Sequence, residues 1–342
     1  MNILLTSAGR RSYLIKYFKS ALRGKGLVHA SNSEYTIALQ DADRYFIAPL
    51  IYKEDYIEQV IAYCLKNDIK AIVSVFDIDL LVLSKAKQYF EAQGIRLLVS
   101  SEEVVEICND KWKTYEFLQE NGFCTPKTYK DLPTVLAAIR RHEITYPVII
   151  KPRWGMASMA IYIADNEDEL RVLYKKSLSQ ISTSYLQYES ARTPDEPVLI
   201  QEILTGQEYG LDVINDFGGN FVCVLPKSKL RMRAGETDLG QTVSSDRFNL
   251  VAKKMSSVLR HEIILSVDCF DVKGEIFILE MNCRISGHYP LSQLAGANLP
   301  KQIISWLEGG CTDMNNFRFE EGIYVTKDLN PVVLNLPKFL DD

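Results

Sequence analysis

Glu280-Met281-Asn282-Cys283-Arg284 closes the apolar run Ile276-Phe277-Ile278-Leu279 and lies twelve residues after Asp268. A strand that ends in Glu-x-Asn-x-Arg delivers a carboxylate, an amide oxygen and a guanidinium to one spot. That combination holds a divalent cation against phosphate oxygens, because magnesium bound with a nucleotide takes only one or two carboxylates and draws its other ligands from the phosphates. Residues 262–267 and 275–280 are both apolar, and Lys273-Gly274 between them marks a hairpin turn. This turn sets Asp268 opposite Leu279 or Glu280. Two carboxylates ~4 Å apart repel by roughly 4 kcal/mol at an effective dielectric of 20. The stretch therefore reads either as a metal pair, Asp268 and Glu280 helped by Asn282, or as a solvated hairpin end carrying ordinary surface charge.

Composition narrows the setting. The chain has 342 residues, 47% hydrophobic and 24% charged, with a formal net charge of -5. That suits a globular protein of two or three subdomains and argues against a general nucleic-acid binder, which carries a basic face. Seven cysteines are scattered with no C-x-x-C pair, the pattern of reduced thiols rather than of a zinc site or a disulfide framework. No apolar stretch approaches the ~20 residues of a membrane span, and Met1 runs directly into strand-like sequence. A cytoplasmic protein that binds neither membrane nor nucleic acid is expected, with homodimerisation open.

Residues 1–100 alternate short apolar runs (Asn2 to Thr6, Val28 to Ser31, Ala71 to Phe76, Ile95 to Val99) with helical patterns. This implies parallel strands with helices on both faces, a Rossmann-like α/β domain. Residues 101–197 mix helices with short strands, ending in the polar stretch Ser179 to Pro197, expected to be a mobile insertion. In residues 198–342, hairpins alternate with helices, so this part is α+β. Tyr209 to Asn215 and Phe221 to Lys229 flank a Gly218-Gly219 turn, and Arg231 to Thr237 reads as a loop.

Lys151 ends the strand Val148-Ile149-Ile150, and the small-residue loop through Ser158 follows it. Such a lysine either pairs with phosphate, covered by backbone amides, or is simply solvated at a strand end. Val198 to Glu202 turns polar at Gln201-Glu202, as does a strand edge that reads adenine, and Glu208 is placed to take ribose hydroxyls. Thr6 to Arg11 occupies the usual ligand crevice of a doubly wound sheet. There Ser7, Arg10 and Arg11 are candidates for an anionic group; surface arginines are the alternative. Asp77 and Asp79, Ser286 and Gly287 are further acceptor-side candidates, and His288 either faces that site or packs in the core.

Asp110-Lys111 at a helix start, Lys151 after Pro-Val-Ile-Ile, Gln201-Glu202, Glu208, Asp268 and Glu280-x-Asn282-x-Arg284 follow one another in an order that resembles the ATP-grasp superfamily. The resemblance is to a single ATP-binding half of the carbamoyl-phosphate synthase large subunit and to biotin carboxylase. It covers almost the whole chain and implies a Rossmann-like pre-ATP-grasp domain (1–100), an N-terminal ATP-grasp subdomain and lid (101–197) and a C-terminal α+β subdomain (198–342). It further implies that Lys111, Lys151 and Ser158 contact ATP phosphates, that Gln201, Glu202 and Leu204 line the adenine pocket, and that Glu208 binds ribose. Asp268, where the family usually has Gln or Glu, joins Glu280 and Asn282 as ligands of Mg2+, with Mn2+ as a substitute. Arg284 and Arg233 would act with Lys151 on the transferred phosphoryl group. The loop after Lys151 departs from the family, since Trp154, Met156 and Met159 stand among residues that are normally glycines.

With ATP and Mg2+ as cofactors, the implied reaction is an ADP-forming ligation. A small-molecule carboxylate is activated as an acyl-phosphate and attacked by an amine, or by a thiol. An ATP-binding sensor or assembly module, and a kinase- or carboxylase-type reaction at the same ATP site, are the alternatives.

Overall fold

The computed structural model describes residues 1–155 and 159–336. Ser158, expected at the phosphates, lies outside them.

The first sheet contains β1 (Asn2–Thr6), β2 (Val28–Asn32), β3 (Arg44–Ile47), β4 (Ile69–Ser74) and β5 (Arg96–Leu97), all parallel, in the order 3-2-1-4-5. Its strands read as continuous apolar runs because both faces are covered. The helix Ser12–Leu22 lays Leu14, Ile15, Phe18 and Leu22 on one side of Ile3 and Leu5. Leu4 and Ile72 point into a second cluster with Val60 and Leu80. The order of strands reverses between β1 and β4, so the crevice at their carboxyl ends is a switch point of the kind where open α/β sheets bind ligands. β3 was not anticipated: a four-residue edge strand with Arg44 at its start is too short to show a period.

The second sheet contains β6 (Thr128–Tyr129), β7 (Val148–Pro152), β8 (Tyr162–Ala164) and β9 (Val198–Glu202) in the order 6-9-7-8. Two expectations fail here. β9, expected to open the region after residue 197, pairs with β6 and β7 and so belongs to the middle sheet. Ser179 to Pro197 is not an unstructured insertion. Helix Glu167–Ser182 runs into it, and a short helix, Leu186–Ser190, buries Leu186 against the middle core. Its polar surface hides that burial, which rests on few residues.

The third sheet is antiparallel, with β10 (Gln207–Asn215), β11 (Phe221–Arg233), β12 (Glu236–Thr242), β13 (Ile264–Val272), β14 (Glu275–Asn282) and β15 (Tyr324–Thr326) in the order 14-13-10-11-12-15. The stretch read as a loop, Arg231 to Thr237, is the tip of the β11–β12 hairpin: the strands pair out to Arg233 and Glu236, with Ala234 and Gly235 at positive φ. The Lys273-Gly274 turn sets the pairing out to Cys269 and Ile278; a bulge at Leu279 then brings Asp268 opposite Glu280 and Ser266 opposite Asn282. Because side chains alternate along a strand, one face collects Leu211, Val213, Val224, Leu265, Val267 and Met281 in the core. The other face carries Glu208, Asp212, Lys227, Lys229, Asp268, Glu280 and Asn282. Leu211→Ala, at the centre of the apolar face, is expected to lower the unfolding free energy by about 2–5 kcal/mol in urea titrations.

Candidate active site

A cavity of about 190 Å³ lies over the charged face of the third sheet, closed on its other sides by the Lys111 helix, the loop after β7 and the loop after β1. Lys111, Lys229, Glu280, Asn282 and Arg284 line it, with Arg11, Ser286, Gly287 and Glu236 at another part of the wall.

Each basic group is held by a specific partner. Arg284 Nε and Nη2 form a fork on Asp77, at 2.7 and 2.8 Å, and among the described residues Nη1 makes no hydrogen bond. Asp77 begins the helix Asp77–Lys85 in the first domain, so this pair ties the third sheet to the first. Asp77 was expected to read the acceptor; it orients Arg284 instead. Lys111 Nζ donates to the Gly155 carbonyl at 2.6 Å. The start of its helix is fixed by Asp110, which caps Trp112 N and takes Arg153 Nε and Nη2, both at 2.7 Å. Arg153 had no marker in the sequence, because its partner is 43 residues away.

Lys151 is 5% exposed and donates to Gln201 Oε1 at 2.7 Å, while Gln201 Nε2 reaches Thr128 Oγ1 at 2.8 Å. Burial lowers the Lys151 ammonium to about 8, with Glu280 opposing that and Lys111 adding to it. Gln201 and Glu202 depart from their expected place at an open strand edge. β9 is paired on both sides, the Gln201 side chain holds Lys151, and Glu202 Oε2 accepts from Lys127 N. Leu204 lies past the end of the paired strand. Glu208, expected at a ribose, takes Lys229 Nζ at 2.8 Å.

The charged layer is continuous. Lys229 bridges Glu208 and Asp268, with Nζ 2.7 Å from Asp268 Oδ1. Burial disfavours the charge on Asp268, but Lys229 and His288 hold its carboxyl well below the usual range. His288 shares a 2.8 Å hydrogen bond with Ser266 Oγ and stands between Asp212 and Asp268. Burial, then Lys227, lowers its pKa. The imidazole fits there because Gly210 lies beneath it; a Cβ at that position would come within 3.0 Å of the ring. Lys227 and Asp212 form a fully buried ion pair, with Ser292 Oγ 2.7 Å from the ammonium. The trace of this layer in the sequence is the alternation Lys227-Ser228-Lys229 in the second arm of the hairpin.

Glu280 and Asn282 suit a hard cation. Both are oxygen donors on the cavity wall, and among the described residues the Glu280 carboxylate accepts one hydrogen bond, a 3.5 Å contact from Asn282 Nδ2. Asp268 fits less well, because its carboxylate is already neutralised by Lys229. Among the described residues no three His, Cys, Asp or Glu side chains close on a metal position, so a cation here needs ligands from a bound substrate.

Four candidates lie away from this chemistry. Arg233 is exposed and held by Asp238 and by the Lys327 carbonyl, so it does not line the cavity; Glu236 at the hairpin tip does. Arg10 is exposed and Ser7 faces another cavity. Asp79 is fully buried, accepting from Tyr56 Oη at 2.6 Å and Ser74 Oγ at 2.9 Å, so no substrate in the main cavity reaches it. Arg11, by contrast, is on the wall, its Nη1 donating to the Val75 and Ile285 carbonyls. Glu236, missed from the sequence, is held below its usual pKa against burial by Lys327 and Arg11.

Residues 3–98 match the family model of the PylC-like N-terminal domain, and residues 194–329 match the model described as ATP-grasp in the biosynthetic pathway with Ter operon. The part of the chain that carries Asp268, Glu280, Asn282 and Arg284 thus matches an ATP-grasp model. The chain is 25% identical over 259 residues to the arginine-specific carbamoyl phosphate synthase large chain of Bacillus subtilis, covering 73% of this chain and 22% of that one. The large chain from Clostridium beijerinckii is 22% identical, over 62% of this chain and 20% of its own length. The chain thus spans about a fifth of the length of these curated relatives. In fold it resembles the biotin carboxylase domain of the Hydrogenobacter thermophilus 2-oxoglutarate carboxylase, solved with MgADP and bicarbonate (TM-score 0.74, 18% identity, 94% of this chain and 73% of that one). An L-amino acid ligase from Bacillus licheniformis is also similar (TM-score 0.65, 17% identity, 93% and 77%).

The Asp77–Arg284 fork gives a test of how the cavity is held. Asp77→Ala strands a buried guanidinium and is expected to cost about 3–5 kcal/mol of unfolding free energy, whereas the double variant Asp77→Ala/Arg284→Met recovers much of it. Chemical denaturation of both reads the difference.

Proposed function

We propose that the chain is an ATP-dependent, ADP-forming ligase that activates a small-molecule carboxylate and passes its acyl group to an amine. The observation that carries this reading is the convergence of Lys111, Arg284, Glu280 and Asn282 on one cavity wall, with Lys151 fixed behind it by Gln201. Phosphoryl transfer asks mainly for positioning and for neutralisation of developing charge, which fits a site rich in fixed cations and oxygen donors.

In this scheme a carboxylate oxygen of the acceptor attacks the γ-phosphorus of ATP, the bond to the β-phosphate oxygen breaks, and ADP leaves. The amine nitrogen then attacks the acyl carbon, phosphate departs with its electron pair, and the amine gives up a proton. Lys111 and Lys151 are assigned to the ATP phosphates, and Leu204 to the adenine side. Arg284, locked in its plane by Asp77, presents Nη1 to the transferred group. Glu280 and Asn282 would hold magnesium, which shields phosphate charge when bound. Arg11, Ser286, Gly287 and Glu236 are assigned to the acceptor. A guanidinium facing a carboxylate across this end suits a substrate that itself carries both signs of charge.

An ADP-release screen across acids and amines tests the proposal. Release that requires both partners is expected; release driven by bicarbonate alone would point to a carboxylase, and none with any pair would point to a binding module. Glu280→Gln is expected to lower magnesium-dependent turnover by at least 100-fold, and full activity in that variant would overturn the metal assignment. The Lys151 ammonium is charged below about 8 and loses its proton above it. Because kcat/KM reports the free enzyme, kcat/KM for ATP should fall as pH rises through about 8. Lys151→Arg stays protonated throughout this range, so its profile should lack that limb even if its overall rate is lower.

A further inference from the structure

One cation of the main cavity has no counter-charge of its own. Arg11 stands on the loop after β1, half-buried on the cavity wall together with Ser286, Gly287 and Glu236. Its Nη1 donates to the Val75 and Ile285 carbonyls, at 2.6 and 3.1 Å. Among the described residues Nε and Nη2 make no hydrogen bond, and no carboxylate forms an ion pair with the guanidinium.

The nearby acids are committed elsewhere. Asp77 is gripped by Nε and Nη2 of Arg284, and Glu236 takes Lys327 Nζ at 2.7 Å, so both act on Arg11 only from a distance. Arg11 and Arg284 also repel each other; burial, and then that repulsion, lowers the Arg11 pKa. Two guanidiniums thus share one carboxylate. A cation withdrawn from water without a partner is costly, and the position therefore favours an anion arriving from the cavity.

The nucleotide does not answer this demand in the ligase reading, where Lys111, Lys151, Arg284 and a cation on Glu280 and Asn282 serve its phosphates. The carboxylate being activated does not answer it either, because that group must lie at the γ-phosphate end, beside Arg284. The remaining source is a second anionic group on the acceptor. Nε and Nη2 form the same edge that Arg284 turns to Asp77, and this edge matches the two oxygens of a planar carboxylate. A cavity of about 190 Å³ that also admits a γ-phosphoryl group leaves room for a small acid only.

We propose that the acceptor end binds a small dicarboxylic acid, one carboxylate held by Arg11 Nε and Nη2 and the other directed toward Arg284. The inference rests on the ligase reading for the fate of the carboxylate at Arg284, which is the one activated; the carboxylate at Arg11 keeps its charge throughout. Acidic amino acids belong to this class, with an ammonium that Glu236 can face.

Isothermal titration of the full chain at fixed ionic strength tests it, with succinate, glutarate, L-aspartate and L-glutamate as probes and their half-amides succinamate, glutaramate, L-asparagine and L-glutamine as comparisons. At least one diacid should bind about ten-fold or more tighter than its half-amide, the worth of one hydrogen-bonded charged contact, and MgADP should not displace it. Arg11→Lys keeps the charge and a donor for the two carbonyls but loses the fork, so it should reduce that ratio to about two-fold or less while MgADP still binds. A purely structural role for Arg11 would weaken diacid and half-amide alike. Diacids bound no better than their half-amides, a ratio unchanged in Arg11→Lys, or displacement by MgADP would each overturn the proposal. ADP release separates it from the reading beneath it: a preferred diacid that drives no release with any amine would overturn the ligase alone, whereas release driven equally well by a half-amide would overturn the dicarboxylate and leave the ligase.

Discussion

Everything around the main cavity depends on a buried layer of charge that one face of an antiparallel sheet is obliged to carry. Alternation places the apolar side chains of β10, β11, β13 and β14 on the core side, so Glu208, Asp212, Lys227, Lys229, Asp268 and Glu280 must share the other. Taking such groups from water costs several kcal/mol each unless every charge finds a partner. The chain meets this by linking them: Lys227 with Asp212, Lys229 with Glu208 and Asp268, and His288 between the two aspartates. Among the described residues the series of ion pairs ends toward the β14 edge, and there Glu280 and Asn282 face the cavity. Paired charges on one side and open oxygen donors on the other concentrate unmet electrostatic demand at that edge.

The surrounding pieces are joined by planar, two-pronged contacts rather than by single charges. Arg284 grips Asp77 across the first and third sheets, and Arg153 grips Asp110 between the middle sheet and the helix that presents Lys111. A bidentate arginine–carboxylate pair fixes orientation as well as distance. Lys151 has a different mounting, a single amide oxygen in a buried place, and its lowered pKa follows from that poverty of counter-charge. The cations at the site are therefore not equivalent: two arginines are structural fasteners with residual donors, while Lys151 has little but Gln201 and distant Glu280 to keep it charged.

The sequence exposed what was local and concealed what was distant. The β13–β14 hairpin was readable from its two-residue turn, but the turn left Leu279 or Glu280 opposite Asp268, and a bulge that the sequence does not mark decides for Glu280. The parallel first domain was readable because strands buried on both faces leave unbroken apolar runs. Side-chain commitments were not readable. Asp77, Gln201 and Glu208 are the residue types that bind substrates, and each is taken by a protein partner 21 to 207 residues away. Arg233 failed for a related reason: the β11–β12 pairing carries it beyond the cavity rim and delivers Glu236 instead. Leu186–Ser190 was hidden because one buried leucine in a polar stretch gives no period to detect.

These mountings also divide the cavity by the source of its walls. Lys111, Glu280 and Arg284 stand on strands and helix starts that are cross-braced by forks, where a shift of 1 Å would strain several buried ion pairs together. The opposite wall is supplied by a hairpin tip at Ala234–Gly235, by the segment 286–287 and by the loop after β1. Gly287 passes so close to the Glu236 carboxyl that a Cβ there would come within 3.1 Å of it. These two loops therefore constrain each other's position, and a change in either one reshapes this wall at a distance from the Asp77–Arg284 fork. Loops can vary at lower cost than a charged sheet face, so in the proposed ligase a change of acceptor would be accommodated at the Glu236 tip and its contact with Gly287 rather than at Glu280 and Arg284.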